Sequence, residues 1–152
     1  MTSGNSIFIL NGPNLNLLGQ REPHIYGSDT LADIEKTCVA YRGSIGLNIE
    51  FRQTNHEGVL VDWLHEANLK ASGVILNAGA YTHTSIALLD AVKSIDIPSI
   101  ELHLSNPAAR ETFRHTSYLS KGVNGVICGF GADGYLLALD AMRRLIEKRR
   151  TK

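Results

Sequence analysis

Leu47-Asn-Ile-Glu-Phe-Arg52 alternates apolar and polar side chains. A period of two belongs to a strand with one face in the core and one toward water, as at the edge of a sheet. Three other segments are more continuously apolar, Ile7-Phe-Ile-Leu10, Gly73-Val-Ile-Leu-Asn77 and Gly125-Val-Ile-Cys128, and Ser99-Ile-Glu-Leu-His-Leu104 reads as a further strand. Helical spacings lie between them. Leu31, Ile34, Cys38, Tyr41 and Ile45 form one apolar stripe, with Ser28 or Asp29 placed to cap it. Val59, Leu60, Trp63, Leu64, Ala67 and Ala71 form the next. Ile86, Leu89, Val92 and Ile95 form a third, opened by Ser85 and stopped by Pro98. Leu136, Leu139, Met142, Leu145 and Ile146 form the last.

Five strand–helix units in alternation argue an α/β domain, a parallel sheet with helices on both faces. The doubly wound, flavodoxin-like order 2-1-3-4-5 puts strand two at an edge, which the alternation at 47–52 matches. Its switch point lies between strands one and three, and ligands bind there at the carboxyl ends of the strands. Asn11 to Asn14 and Asn77 to His83 then flank one crevice.

The chain has 152 residues, enough for a single domain with its own core. We read 1–152 as one catalytic domain, with 1–5 and 148–152 as frayed tails. Basic and acidic residues number 15 each, so no nucleic-acid footprint stands out. Met1-Thr-Ser-Gly-Asn-Ser6 lacks the basic and apolar regions of a signal peptide. No apolar run approaches the ~20 residues of a membrane span. Cys38 and Cys128 read as small core residues of a reducing compartment. The expected location is the cytoplasm.

Several familiar motifs fail on context. Gly129-Phe-Gly-Ala-Asp-Gly134 has the spacing of a dinucleotide-binding turn, but only a helix and a tail follow it. The fingerprint needs a further strand with an acidic residue about 20 positions on. No Gly-Lys pair exists, so there is no P-loop. No G-x-S-x-G elbow occurs, and neither His56-Glu57 nor His65-Glu66 continues as H-E-x-x-H. A metal held by His83, Asp90, Glu101 and His103 is the weaker reading, because no pair among them has a recognised ligand spacing.

What remains is polar residues at the ends of apolar strands. The long connection Asn11-Gly-Pro-Asn-Leu-Asn-Leu-Leu-Gly-Gln-Arg-Glu-Pro-His-Ile-Tyr-Gly27 carries Asn14, Arg21 and Tyr26. A long, compositionally varied loop in a compact domain is usually functional. Asn77-Ala-Gly-Ala-Tyr-Thr-His83 leaves strand three. Glu101, His103 and Ser105 share one face of strand four. After it, a polar connection carries Asn106-Pro, Arg110 and Arg114. Tyr, Arg, His and Asn with no obvious nucleophile suit proton transfer on a small oxygenated anion. A free phenol is ionised to only about one part in a thousand at neutral pH. A base made from one needs a partly desolvated cation beside it. Arg21 stands five positions before Tyr26.

These motifs together resemble the type II 3-dehydroquinate dehydratases. The resemblance rests on Asn11-Gly-Pro-Asn-Leu-Asn, Arg21-Glu-Pro-x-x-Tyr26-Gly, Asn77-Ala-Gly-Ala-Tyr-Thr-His83-Thr-Ser and Glu101-x-His103-x-Ser105-Asn. Arg110-Glu-x-Phe-Arg114-His and Gly129-Phe-Gly-x-x-Gly-Tyr135 extend it over Ile7 to Ile146. It implies a hydro-lyase that converts 3-dehydroquinate to 3-dehydroshikimate by anti elimination through an enolate, without metal or cofactor. It implies Tyr26 as base, Arg21 as the cation that stabilises its phenolate, and Asn14 as holder of a water on the enolate oxygen. His103 is implied as general acid, oriented by Glu101. Asn77, Leu104 and Ser105 are implied to hold the substrate carboxylate. His83, Asp90 and Arg114 are implied to bind substrate or form the wall. The implied partner is a second copy of the chain, in a dodecamer built of trimers, with Asp90 reaching a neighbour's site. The competing reading is a non-catalytic flavodoxin-like module for flavin or a small anion, which predicts a bound flavin or phosphate, or an acidic cluster at the strand ends. The sequence offers neither a P-loop nor such a cluster.

Overall fold

The computed structural model describes residues 5–151. Five strands among these residues form one parallel sheet: β1 (Ser6–Asn11), β2 (Asn48–Gln53), β3 (Gly73–Asn77), β4 (Ser99–His103) and β5 (Gly125–Cys128). Their order is β2-β1-β3-β4-β5. The register aligns Asn11 with Asn77 and His103 with Cys128, so the polar strand ends lie along one rim. The helices are a single turn α1 (Pro23–Tyr26), then α2 (Leu31–Ile45), α3 (Glu57–Lys70), α4 (Ile86–Ser94) and α5 (Asp133–Arg150). The fold is flavodoxin-like, in the expected order.

Period-two alternation divides the core. Ile7, Ile9, Ile75, Ile100 and Leu102 face α2 and α5, where Ile34, Cys38, Tyr135, Leu139 and Met142 meet them. Phe8, Leu10, Val74 and Leu76 face α3 and α4, where Leu60, Leu64, Leu88 and Val92 meet them. Each fully buried side chain of this size is worth about 1.5–3 kcal/mol. Glu101 and His103 alternate with Ile100 and Leu102, so β4 turns its buried polar residues to the α3–α4 side. Burial pushes the Cys38 thiol up to about 12, which suits an inert core residue.

Three local expectations are corrected. The cap of α2 is Thr30, not Ser28 or Asp29. Thr30 Oγ1 accepts the Asp33 N–H, and Asp33 Oδ2 accepts the Thr30 N–H, both at 3.1 Å. This reciprocal box satisfies two exposed ends at once. Helix α4 buries Leu88, Ala91 and Val92, while Ile86 is 57% exposed. A strict spacing of three drifts off the face of a helix with 3.6 residues per turn, and the true row follows i, i+3, i+4. At the basic end, α5 stays helical through Arg150 instead of fraying from position 148. Positions 1–4 and 152 of the expected tails lie outside the described residues.

Candidate active site

A cleft of about 570 Å³, open to solvent, lies over the carboxyl ends of β1, β3 and β4. Its first wall is the 11–27 connection. Gly12 begins it, and a Cβ there would sit 2.4 Å from the Ala78 carbonyl oxygen. Only glycine lets the two strand exits run together, joined by Gly12 N–H to Asn77 O at 2.8 Å. Asn14 follows in the left-handed region (φ 68°), its N–H donated to Asn55 Oδ1 at 3.0 Å. Leu15 and Leu18 are buried and anchor the first half of the loop. The second half carries Arg21 and, at the end of α1, Tyr26.

The Arg21 guanidinium lies 5.3 Å from the centre of the Tyr26 ring. A second guanidinium, Arg110, lies 5.1 Å from the same ring. Arg110 also donates to Ser105 Oγ at 3.1 Å. Arg110 was not among the expected site residues, although its motif was read. Its position in a polar connection gave no hint of which strand end it would cover. Two guanidiniums thus lie against one phenol ring.

The second wall is β3 and its exit. Asn77 is 2% exposed. Its Nδ2 donates to the Tyr135 hydroxyl at 3.0 Å, and its Oδ1 accepts the Gly79 N–H at 3.3 Å. Tyr135 OH donates to Asn11 Oδ1 at 2.6 Å, and Asn11 Nδ2 donates to the Arg52 carbonyl at 2.9 Å. Tyr135 is wholly buried, and burial pushes its phenol above the ordinary value. It is therefore a structural hydroxyl that orients the Asn77 amide. Tyr135 was read in the sequence only as part of a glycine motif.

The third wall is the end of β4. Glu101 is 1% exposed and His103 8%. His103 Nε2 lies 2.5 Å from Glu101 Oε2. His83, from the β3 exit, stacks on His103 with ring centres 6.3 Å apart and planes at 16°. Leu104, Ser105 and Arg114 line the same cleft. Arg114 is held by Glu111 at 2.9 Å. The Gly129–Gly134 turn buttresses this wall. Gly129 N–H reaches His103 O at 3.3 Å and Gly131 N–H reaches Leu104 O at 2.9 Å. Gly129 has φ +94°, a conformation other residues rarely adopt.

The structure thus brings together Asn14, Arg21, Tyr26, Asn77, His83, His103, Leu104, Ser105 and Arg114, with Glu101 directly behind His103. Asp90 is the exception. It is exposed on α4 and is not among the residues lining the cleft. The four residues weighed as metal ligands therefore do not converge, and no cluster of three or more His, Cys, Asp or Glu suited to a metal occurs among the described residues. The cleft presents three guanidiniums, two imidazoles, a phenol and amides. That set can bind a small anion and both take and give a proton.

Comparison with known proteins supplies a context. Residues 5–143 match the family described as Dehydroquinase class II. The chain is 61% identical over 140 residues to a 3-dehydroquinate dehydratase of Rhizobium johnstonii, covering 92% of this chain and 97% of that protein. It is 62% identical over 136 residues to one of Dinoroseobacter shibae, covering 90% and 91%. The crystal structure of the type II dehydroquinase from Propionibacterium acnes superposes with a TM-score of 0.89 at 42% identity, covering 95% of this chain and 99% of that one.

Proposed function

The chain belongs to the class II dehydroquinases, and on that premise we propose that its cleft dehydrates 3-dehydroquinate to 3-dehydroshikimate. One observation carries the residue assignment: a phenol flanked by two guanidiniums and an imidazole backed by a buried carboxylate line the same cleft, on different walls. Elimination of water needs a base and an acid so placed.

In the proposed reaction the Tyr26 phenolate takes a proton alpha to the ketone, and the electron pair moves into an enolate. Arg21 and Arg110 stabilise the phenolate before that transfer. Asn14 holds the water that hydrogen-bonds the enolate oxygen. The enolate then re-forms the ketone, a carbon–carbon double bond appears, and the carbon–oxygen bond breaks. His103 gives the departing hydroxyl its proton, so it leaves as water. Return of one proton from Tyr26 to solvent and uptake of one by His103 resets the site. Asn77, Leu104 and Ser105 hold the substrate carboxylate, and His83 and Arg114 form the remaining contacts. Closing the 11–27 loop excludes water and strengthens the electrostatic interactions inside.

The proposal extends to assembly and setting. Asp90 acts in the site of a neighbouring copy, within a dodecamer built of trimers. Its support is that Asp90 is exposed, near the exposed Ile86, and does not line its own chain's cleft. A cytoplasmic setting accords with two free cysteines. No helix among the described residues is long and apolar enough to cross a membrane. The flavin-binding alternative gains no support from a cleft lined by three arginines and two histidines.

Addition of 3-dehydroquinate should produce the ultraviolet absorbance of a conjugated enone. Tyr26→Phe should lower the rate at least about a thousandfold, the scale of a lost general base with its cation pair. No absorbance rise at ample enzyme would remove the lyase reading, and near-normal turnover in Tyr26→Phe would remove Tyr26 as base.

A further inference from the structure

Glu101 is held by more than His103. Ser117 Oγ lies 3.0 Å from Glu101 Oε1 and 2.9 Å from Oε2. A serine hydroxyl has one proton to give. The same oxygen accepts the Ser120 N–H at 3.1 Å, a bond in which the backbone nitrogen can only donate. The Ser117 proton is thereby directed to the carboxylate. Glu101, accepting from Ser117 on one side, accepts from His103 Nε2–H on the other. Nε2 then keeps its hydrogen on Glu101, and Nδ1 is the ring nitrogen left to exchange a proton in the cleft.

The preceding residue does the matching work for the second ring. Thr116 O lies 2.8 Å from His83 Nδ1. A carbonyl only accepts, so Nδ1 carries the hydrogen. The two stacked imidazoles therefore each have one nitrogen committed, by neighbouring residues of one segment. That segment is tied to the turn before α4 and stiffened from within. Tyr118 N–H is donated to Thr82 O at 3.0 Å, in the turn that carries His83. Ser120 Oγ donates to Ser117 O at 2.9 Å. The connection between β4 and β5 is a brace for the acid side of the cleft.

We propose that Ser117 is a positioning residue for the reaction, aiming the Glu101 carboxylate and through it holding His103 with Nδ1 toward the departing hydroxyl. This rests on the lyase reading above. A hydrogen-bonded carboxylate with one donor removed can rotate, and the imidazole rotates with it. Misplacement of a reacting group by about 1 Å costs on the order of a hundredfold in rate. Substrate binding by Asn77, Ser105 and Arg114 does not pass through Ser117.

The test compares Ser117→Ala and Ser117→Thr with the parent enzyme, using ordinary 3-dehydroquinate and substrate deuterated at the abstracted position. Ser117→Ala should lower kcat by about tenfold to a hundredfold, with KM within about twofold of the parent. Its primary isotope effect on kcat should shrink, because water loss becomes slower than proton abstraction. Ser117→Thr keeps the hydroxyl and should recover most of the turnover. Equal losses in both variants, an undiminished isotope effect, or a Ser117→Ala kcat within twofold of the parent would each overturn the proposal. A parent enzyme that forms no enone would instead overturn the lyase reading itself.

Discussion

Arg52 shows how much one side chain can hold on the outer strand. Its guanidinium meets Glu66 in two parallel bonds of 2.8 Å and Glu50 at 3.1 Å, and it lies 4.7 Å from the Phe8 ring and 5.4 Å from Trp63. It is half-buried where strict alternation placed it outward. The hydrogen bond from Arg52 holds the Glu66 carboxyl at about 2, below its ordinary 4.5. A carboxyl depressed on folding contributes stability in full above pH ~4.5 and loses it as pH falls through ~2. Glu66→Gln should cost about 1 kcal/mol at pH 7, since the pair is partly solvated. Urea unfolding of the variant should show a flatter pH dependence between about pH 5 and 2, converging on the parent at the acid end. An unchanged slope there would remove the pair from the stability balance. At this same scale the cleft positions of His103 and Asn77 were legible, because polar residues ending apolar strands have no packing reason to be there, and that of Tyr26 was legible from the length of its loop. Arg110 and Ser117 were not, because their partners depend on how a connection without regular periodicity folds back.

Elements were legible where their period was strong. Among the described residues the five strands and the four long helices stand where alternation and helical spacing put them, with α5 running further at both ends than its apolar stripe. The exceptions are matters of register and capping. Thr30 caps α2 because only its spacing to Asp33 makes the bonds reciprocal. In α4 the buried row runs through Leu88 and Ala91, so Leu88 and Ile86 should respond oppositely to truncation. Leu88→Ala should cost about 2–5 kcal/mol, the range for a wholly buried leucine. Ile86→Ala should cost less than about 1 kcal/mol. Urea midpoints of the two variants measure this directly, and the reverse ranking would restore the register with Ile86 inward. The 11–27 connection is a different case. Its length was evident, but its division into an anchored half at Leu15 and Leu18 and a half carrying Arg21 and Tyr26 emerges only from burial.

Across the whole molecule, the sheet order sets the site. Parallel strands point their carboxyl ends the same way, so residues far apart in the chain share one rim. The proposed assembly adds a second chain to that rim through Asp90. Asp90→Ala and Tyr26→Phe subunits, each nearly inactive alone, should regain activity when unfolded and refolded together. About a quarter of the sites in a random mixture would combine an intact Tyr26 with a neighbour's intact Asp90. Mixtures no more active than their components would confine each site to one chain. The sequence by itself determined the alternation of strands and helices, the edge position of β2 and the polar strand ends that border the cleft. Those properties depend on local periodicity and on polar residues at strand ends. Tertiary structure alone decided that Arg110 reaches Tyr26, that Tyr135 joins Asn11 to Asn77, and that Ser117 holds Glu101. Such pairings join residues separated by up to 124 positions. They follow from the distances at which packed elements leave donors and acceptors, which no local pattern encodes.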